Sequence, residues 1–343
     1  MKSLKIVAPY KIEIKESEEK NDVLTPGKLK IRVNRVSLCG SDIKLYEGKY
    51  SGPCRYPLIF GHEWSGEVIG VAEGEDKFEL GDHVTGDCSM WCGSCSNCKT
   101  DKNLCSNIEK FGITIDGYSR DVVIADSKYI YRAPNKLSFK ALALTECFAV
   151  SLHALRCAGI EKLDKNSKIL VIGGGAIGIA AYMFLRYHFH FANVSITEKN
   201  EKRLHTIQYI FPDIQVEAQN GGESKNEYQS IYANEGFPYI FDATGSTKGL
   251  DSAIQLASAA GKISYVGMDG SELANSKLIT MKRLTVSGSI GGTGEFPEVI
   301  SFFENNEEMV SKVVTCVVDC EDAEKAFKEM SNNPSNIKCQ IKL

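Results

Sequence analysis

Alternation of polar and apolar residues is the first pattern in the chain, and it predicts short β-strands. The N-terminal sequence MKSLKIVAPYKIEIKE alternates in this way and predicts two strands joined by a turn. The segments KLKIRVNRVSLC, GEVIGVAEG and YSRDVVIADSKYIYRAP are alternating or β-branched, and glycines separate them. The part of the chain before residue 146 is therefore predicted to be mostly β-structure.

The pattern changes near residue 146, where apolar runs and helical stretches begin to alternate. ECFAVSLHALRCAGI predicts a buried helix that ends at Gly159. KILVI, NVSITE, YIFDATG and GKISYVGM are apolar runs, and with the helical stretches between them they predict βαβ units and a parallel sheet buried on both faces. After residue 292 the chain becomes helical and polar, and the terminal IKCQIKL predicts a last strand.

A glycine-rich turn follows the first of these apolar runs. VIGGGAIG provides G-x-G-x-x-G with Gly173, Gly175 and Gly178, after an apolar strand and before an apolar helix, as the dinucleotide-binding motif requires. Gly173 permits the tight turn, Gly175 lets a pyrophosphate approach the backbone, and Gly178 lets helix and strand pack closely. A strand–helix turn without a ligand is the alternative, and the context favours a dinucleotide site.

An acidic residue stands where such sites contact the ribose. Glu198 ends the strand VSITE, twenty residues after Gly178. A carboxylate there can accept hydrogen bonds from the adenine ribose and repels a 2′-phosphate, which favours NAD over NADP. Lys199 and Arg203 are close in sequence and could accommodate the extra phosphate, so NADP stays a less favoured alternative.

Four of the twelve cysteines are crowded into WCGSCSNCKTDKNLC. Four thiolates suit tetrahedral Zn²⁺, and an all-cysteine shell leaves no position for a substrate, so a closed structural zinc site is predicted. An iron–sulfur cluster is the rival interpretation, although the run lacks the last x3 step and the proline of the bacterial ferredoxin pattern. Most of the other cysteines are predicted to be inert core residues. The four predicted ligands are Cys92, Cys95, Cys98 and Cys105.

A second set of possible metal ligands is dispersed along the chain. Cys39 lies in LCGSD, His62 and Glu63 lie in GHEWSGE, and Glu146 lies in ALTECFAV. Each is weak evidence by itself, because a lone cysteine or histidine is usually structural. Together they form a mixed set with fewer than four thiolates, which leaves room for water or a substrate.

Several motifs in order resemble one known family over nearly the whole chain. CGSD, GHEWSGEV, GDHV, the four-cysteine segment, GGGAIG and FDATG are similar to the zinc-dependent medium-chain alcohol dehydrogenases, and CGSD with the glutamate before AVSLHA resembles their sorbitol, polyol-phosphate and threonine 3-dehydrogenase branch. The resemblance implies an α/β chain with a GroES-like, mostly β catalytic domain at 1–147 and 292–343. It also implies a Rossmann NAD-binding domain with a doubly wound parallel sheet at 148–291.

The resemblance assigns two zinc ions to the chain. Cys39 and His62 would ligate the catalytic zinc, and Glu63 and Glu146 would ligate it directly or through water. The four-cysteine segment would bind the second, structural zinc. One residue fewer separates its last two cysteines than the family usually has, a departure that the loop tolerates.

The resemblance also implies a proton acceptor and a set of cofactor contacts. Ser41 would receive the substrate proton, and Asp42 would orient the ligand histidine. Lys44 stands where several relatives carry a relay histidine, ECFAV replaces a proline-containing turn, and His83 in GDHV belongs to a structural turn. The implied NAD positions are Gly173, Gly175, Ile177, Gly178, Glu198, Arg203, Val266, Gly267, Met268, Ser289 and Ile290.

Composition excludes several other classes of protein. The 343 residues carry a net charge of −4 without a basic run, which argues against nucleic-acid binding. No apolar run approaches the roughly 20 residues of a membrane span, and no signal-peptide core is present, so a cytoplasmic protein is expected.

The length predicts two domains, and the resemblance implies a homo-oligomer, either a dimer or a tetramer.

The expected function is reversible oxidation of a secondary alcohol to a ketone, with hydride transfer to NAD⁺. A polyol, sugar alcohol or sugar phosphate is the first choice of substrate, and L-threonine is the alternative. A zinc-free quinone or enoyl reductase would not need the ligand set. A non-catalytic scaffold that binds NAD and zinc is a further alternative, and fold alone would not exclude it.

Overall fold

The computed structural model divides the chain into two compact units. The discontinuous unit comprises Met1–Ala149 and Gly291–Leu343, and the central unit comprises Val150–Ile290. That these units are separate domains with the boundaries given above stays a prediction. The structure describes residues 1–18, 23–217, 228–232, 236–267 and 272–343.

The N-terminal part of the chain is rich in short strands, as the alternation predicts. Its helices are α1 (Gly40–Tyr46), α2 (Phe139–Leu142) and α3 (Thr145–Cys157). Its described strands are β1 (Lys2–Ala8), β2 (Lys11–Glu16), β3 (Lys28–Ser37), β4 (Leu58–Ile59), β5 (Glu63–Val71), β6 (His83–Gly86), β7 (Ser89–Met90), β8 (Glu109–Lys110), β9 (Val122–Asp126) and β10 (Ile130–Ala133).

The central unit alternates strands with helices. Its described strands are β11 (Ile169–Ile172), β12 (Val194–Thr197), β13 (Gln215–Val216), β14 (Phe237–Asp242), β15 (Ala257–Tyr265) and β16 (Thr285–Gly288). Its described helices are α4 (Ala176–Met183), α5 (Glu201–Ile210), α6 (Tyr228–Tyr232), α7 (Thr247–Leu256) and α8 (Lys277–Met281).

The C-terminal part returns to the discontinuous unit and ends in a strand, as IKCQIKL predicts. Its elements are α9 (Phe296–Lys312), β17 (Val314–Asp319), α10 (Ala323–Asn332) and β18 (Lys338–Lys342). Short 3₁₀ helices are formed by Asn97–Lys99, Lys102–Leu104, Ser127–Tyr129, Ile160–Lys162 and Cys320–Asp322, and Phe184–His188 forms a π-helical turn.

The main sheet of the discontinuous unit joins strands from both ends of the chain. Within the described residues its order is β10-β6-β5-β3-β18-β17, and β9 also pairs with β3. The last strand, β18, runs antiparallel to β3, with Gln340 opposite Ser37. The C-terminal strand therefore lies beside the strand that leads to Cys39.

The central unit has a parallel sheet, which confirms the α/β fold and its doubly wound Rossmann arrangement. Its order in the described chain is β13-β12-β11-β14-β15-β16, so the first strand lies in the middle and the order reverses there. β11 and β12 are buried along their whole length, which is why the sequence shows continuous apolar runs.

Two serines bind the start of α2 and the residues after it to the main sheet. Ser65 Oγ on β5 donates to Phe139 O at 2.7 Å, and Ser37 Oγ on β3 donates to Ala143 O at 2.8 Å. These bonds hold the chain just before α3, whose first turn contains Glu146.

Within the described residues, no helix is both long and apolar enough to cross a membrane.

Candidate active site and cofactor site

Cys39 lies between β3 and α1, at the residue where the helix begins. Its backbone N–H donates to Asp42 Oδ2 at 2.9 Å, which closes the first helical turn. The other oxygen, Asp42 Oδ1, accepts from the N–H of Gly61 at 3.3 Å. The buried carboxylate of Asp42 therefore joins the start of α1 to the residue before His62.

Three predicted ligands are brought together. One donor atom from each of Cys39, His62 and Glu63 lies within 4.8 Å of the others. Ser41 Oγ lies 3.5 Å from His62 Nε2, and Asp42 Oδ1 lies 3.9 Å from His62 Nδ1. The second distance is too long for a hydrogen bond, so the contact of Asp42 with the histidine is electrostatic.

Negative groups surround the buried imidazole. Burial alone lowers the pKa of His62, but the charges of Asp42, Cys39 and Glu146 outweigh it and raise that pKa to about 10. Burial raises the pKa of Asp42 and of Glu146, and the charge of His62 opposes both shifts. The arrangement therefore favours a cation at this position, either a proton on His62 or a metal ion.

Glu146 lies beside the three donors. Among the described residues, the group of mutually close ligand atoms comprises Cys39, His62 and Glu63 without it. Its charge still acts on His62, and the buried Cys88 thiol forms a hydrogen bond with its carboxylate. Cys88 belongs to the scattered cysteines, most of which are predicted to be inert core residues, because nothing in its local sequence distinguishes it.

Lys338 is the site residue that the sequence analysis missed. Its ammonium lies 2.8 and 2.7 Å from the two carboxylate oxygens of Glu63 and donates to Leu38 O at 3.1 Å. Burial opposes its charge, but Glu63 and neighbouring thiols outweigh burial and raise the pKa of Lys338. Both carboxylate oxygens of the predicted ligand Glu63 are therefore already hydrogen-bonded by this chain.

The four predicted structural ligands form a compact cluster. Cys92 Sγ lies 3.6 Å from Cys105 Sγ and 4.0 Å from Cys98 Sγ, and Cys95 Sγ lies 4.0 Å from Cys105 Sγ. A tetrahedron of Zn–S bonds of about 2.3 Å places its sulfurs about 3.8 Å apart. These distances fit one ion and leave no room for a cluster of several irons between the sulfurs.

Backbone amides of the cysteine segment favour thiolates. Backbone hydrogen bonding from Ser94 lowers the pKa of Cys92 to about 5, and that from Ser106 lowers the pKa of Cys95 to about 7. The N–H of Cys95 also donates to Cys92 Sγ at 3.4 Å. Since the thiolate is the metal-binding form, these hydrogen bonds prepare Cys92 and Cys95 for a metal ion, whereas burial raises the pKa of Cys98 to about 12.

The predicted cofactor residues follow the carboxyl ends of parallel strands. Gly173 comes directly after β11, Glu198 after β12, Val266 after β15 and Ser289 after β16. Ligands of such open sheets bind at this edge, where the strand order reverses. Gly267, Ile290 and the helix residue Ile177 lie near the same strand ends in sequence, and Met268 lies outside the described residues.

Close packing explains the last glycine of the motif. A Cβ on Gly178 would lie 1.9 Å from the carbonyl oxygen of Gly173, so no larger residue fits between α4 and the turn. A Cβ on Gly175 would meet no atom within 4 Å, so that glycine is not required by packing. The space beside Gly175 is consistent with a ligand that approaches the backbone.

Glu198 is held by three groups of its own unit. Its Oε2 accepts from the N–H of Gly174 at 2.9 Å and from Arg203 Nη1 at 3.3 Å, and its Oε1 accepts from the N–H of Asn200 at 2.8 Å. The carboxylate is therefore oriented at the end of β12. Arg203 is paired with it and does not present an isolated positive charge.

Comparison with protein-family models gives two matches along the chain. Residues 25–135 match the model described as "Alcohol dehydrogenase GroES-like domain". Residues 176–305 match the model described as "Zinc-binding dehydrogenase". The first match contains Cys39, His62 and the four-cysteine segment, and the second contains most of the cofactor residues.

Individual relatives agree over most of their length. An uncharacterized zinc-type alcohol dehydrogenase-like protein of Haemophilus influenzae is 28% identical over 98% of this chain and 96% of its own. Sorbitol dehydrogenase of Halalkalibacterium halodurans is 31% identical over 77% of each chain. The crystal structure of 2R,3R-butanediol dehydrogenase from Bacillus subtilis has a TM-score of 0.84 at 25% identity and covers 100% of this chain and 99% of its own.

Proposed function

Because the chain belongs to the zinc-dependent medium-chain alcohol dehydrogenase family, we propose that it oxidises a secondary alcohol to a ketone and transfers the hydride to NAD⁺. The observation that carries this proposal is the convergence of Cys39, His62 and Glu63, from three separate segments, within 4.8 Å. A thiolate, an imidazole and a carboxylate are the ligand types of a catalytic zinc site that keeps a position open for the substrate.

The side chains of the site can bind a divalent metal ion. A bound zinc ion would act as a Lewis acid that lowers the pKa of a substrate hydroxyl. Cys39 and His62 would hold that ion, and Glu63 or Glu146 would complete the set of ligands. The ion pair with Lys338 offsets the charge of Glu63, so Glu146, whose charge also acts on His62, stays the second candidate carboxylate.

Ser41 is the residue we assign to proton removal. Its hydroxyl lies beside the ligand histidine, 3.5 Å from Nε2. A hydroxyl there can accept the substrate proton by hydrogen bond and pass it outward. Asp42 supports the arrangement by holding the helix start and the charge of the histidine in place.

The cofactor proposal rests on the ends of the parallel strands. Glu198 is oriented to accept hydrogen bonds from ribose hydroxyls, and its negative charge opposes a 2′-phosphate. Its ion pair with Arg203 reduces the attraction of that arginine for a phosphate. We therefore propose NAD as the preferred cofactor, and a higher kcat/KM with NADP⁺ than with NAD⁺ would contradict it.

The substrate proposal is a polyol, sugar alcohol or sugar phosphate. The relatives named for sorbitol and for 2R,3R-butanediol are named for compounds that carry secondary hydroxyl groups. A mixed ligand set with Cys39, His62 and glutamates resembles that branch. L-Threonine stays the alternative substrate, since it also carries a secondary hydroxyl group.

One assay tests the reaction class. Purified protein with measured zinc content is incubated with NAD⁺ and each member of a panel of secondary alcohols, polyols, sugar phosphates and L-threonine, and NADH is followed by absorbance. We expect turnover with at least one polyol. Absence of turnover across the panel, in protein that binds both zinc and NADH, would favour the non-catalytic scaffold.

The variant Cys39→Ser tests the site itself. We expect it to lose at least about 100-fold in kcat, because the hydroxyl is a poor replacement for a thiolate ligand. NADH binding and the zinc of the four-cysteine segment should persist, since neither depends on Cys39. Turnover close to that of the wild type would overturn the assignment.

A further inference from the structure

The four-cysteine segment contacts the chain where it returns from the central unit. We name Gly291–Gly294 the return segment; it directly follows Ser289 and Ile290, two of the proposed cofactor residues. Both the return segment and the cysteines belong to the discontinuous unit. The contact between them is made by Asn103, which lies in the 3₁₀ helix between Cys98 and Cys105.

Asn103 forms a two-way pair with the backbone of the return segment. Its Oδ1 accepts from the N–H of Thr293 at 3.0 Å, and its Nδ2 donates to the carbonyl oxygen of Thr293 at 3.3 Å. Asp101 Oδ1 accepts from both the N–H and Nδ2 of Asn103 at 2.8 Å, which fixes the orientation of the amide. The side chain is 3% exposed, so water does not compete for these bonds.

A second contact joins the same threonine to a residue that precedes the cysteine segment. Thr293 Oγ1 donates to Asp87 Oδ1 at 2.7 Å. The buried carboxylate of Asp87 also accepts from Trp91 Nε1 at 3.1 Å, and Trp91 directly precedes the first ligand, Cys92. Thr293 is thus held by Asn103 within the four-cysteine segment and by Asp87 before it.

The return segment fits against Asn103 without space for a larger side chain. Gly291 has φ +73°, and a Cβ on it would lie 2.2 Å from Asn103 Oδ1. Beyond the segment, the buried ring of Phe296 stacks on Tyr131 at a centroid distance of 4.6 Å. The return segment is therefore fixed at its start, at Thr293 and just after its end.

We propose that Asn103 is a positioning residue for the cofactor: the metal-bound cysteine segment holds the return segment through Asn103 and Thr293 and thereby fixes Ser289 and Ile290 for NAD(H). This inference rests on the proposed function. The order of the cysteine segment depends on its ion, because the segment is built of two single-turn 3₁₀ helices and clustered thiolates. Metal occupancy at the four cysteines and NAD(H) affinity are therefore coupled, and the coupling is reciprocal.

The test compares two asparagines of the same segment. Asn103→Ala removes the pair with Thr293. Asn97→Ala is the matched control, because Asn97 Nδ2 donates to Leu104 O at 2.8 Å within the segment and, in the part of the chain that the structure describes, forms no hydrogen bond with the return segment. For each variant and the wild type, the dissociation constant of NADH is measured by nicotinamide fluorescence, zinc per chain by atomic emission, and the melting temperature by circular dichroism.

The expected result is a selective loss of cofactor affinity. Asn103→Ala should raise the dissociation constant of NADH about fivefold to tenfold, as expected for the loss of one or two hydrogen bonds. Zinc content should stay at the wild-type value, and Asn97→Ala should bind NADH like the wild type. Thr293→Val, which keeps the shape of the side chain and loses the bond to Asp87, should weaken NADH binding in the same direction.

Metal removal gives the second readout. Selective chelation of the zinc bound by the four cysteines should weaken NADH binding in the wild type and change it less in Asn103→Ala. Unchanged NADH affinity in Asn103→Ala, or an equal loss in Asn97→Ala, would overturn the positioning role. If the wild type itself bound no NADH, the proposed function would be overturned together with this inference.

Discussion

The buried ion pair between Lys338 and Glu63 makes the candidate site sensitive to the loss of one positive charge. Replacing Lys338 by methionine keeps the approximate length of the side chain and removes the ammonium. The Glu63 carboxylate, which is 0% exposed, then stays in the interior without its partner. We expect Lys338→Met to destabilise the discontinuous unit strongly.

The geometry sets the size of the effect. The ammonium lies 2.7 and 2.8 Å from the two carboxylate oxygens. Two unit charges about 3 Å apart attract by about 5–6 kcal/mol at an effective dielectric constant of about 20. Desolvation offsets much of that attraction, and removing one partner of a buried pair typically costs about 3–5 kcal/mol. We therefore expect the free energy of unfolding to fall by about 3–5 kcal/mol.

Urea denaturation followed by tryptophan fluorescence measures this change. Both tryptophans of the chain, Trp64 and Trp91, lie in the discontinuous unit, and Trp64 directly follows Glu63. Lys342→Met is the control, because Lys342 lies on the same strand but is exposed. Its effect should stay within about 0.5 kcal/mol.

A double variant separates loss of the pair from loss of packing. In Lys338→Met with Glu63→Gln the uncompensated charge is absent, so most of the lost stability should return. All variants are compared at equal zinc content, because a bound ion could also neutralise Glu63. A loss below about 1 kcal/mol in Lys338→Met, or no recovery in the double variant, would refute the reasoning.

Three further predictions concern the central unit. Burial raises the pKa of Asp242, the last residue of β14, to about 6. The folded state therefore holds this proton more tightly than the unfolded state, and stability falls as pH rises from about 4 to about 6. Asp242→Asn, which keeps the acceptor for Thr244, should remove up to about 3 kcal/mol of this fall, measured by melting temperature against pH. Gly178→Ala should destabilise the unit, whereas Gly175→Ala should leave the melting temperature unchanged and weaken NADH binding about tenfold or more.

Three results would contradict these predictions. If the melting temperatures of Asp242→Asn and the wild type changed equally with pH, the Asp242 carboxyl would not be the cause of the pH dependence. A stable Gly178→Ala variant would show that α4 can move away from the turn. Unchanged NADH affinity in Gly175→Ala would show that the pyrophosphate does not pass close to that residue.

The central unit could be predicted from sequence because its signals are local. KILVI, the glycine turn and the helix after it are adjacent in sequence, and the nearest atom to a Cβ on Gly178 belongs to Gly173 of the same turn. The parallel sheet could be predicted from the apolar runs, because strands that are buried on both faces are apolar along their whole length. The four-cysteine cluster could also be found, because its ligands lie within fourteen residues of one another.

The dispersed site could not be derived from spacing. Cys39 and Glu146 are separated by more than a hundred residues, and only the resemblance to a family assigned them to one zinc ion. The structure supplies the physical reason: Ser37 and Ser65 hold the chain before α3 against the sheet, and Asp42 joins α1 to Gly61. Each of these links is a side chain bonded to a backbone group far away in sequence, and no local pattern records such a bond.

Lys338 shows why a correct strand prediction can still miss a site residue. The alternation in KCQIK suggests polar residues facing water, yet Lys338 and Gln340 are buried, while Cys339 and Ile341 pack into an apolar cluster on the other face. Shifting β18 by one residue against β3 would place the lysine in that cluster and a thiol opposite Glu63. The register of the last strand is therefore specified by the buried charge of Glu63 as well as by apolar packing, which is why removing either charge should affect the whole unit.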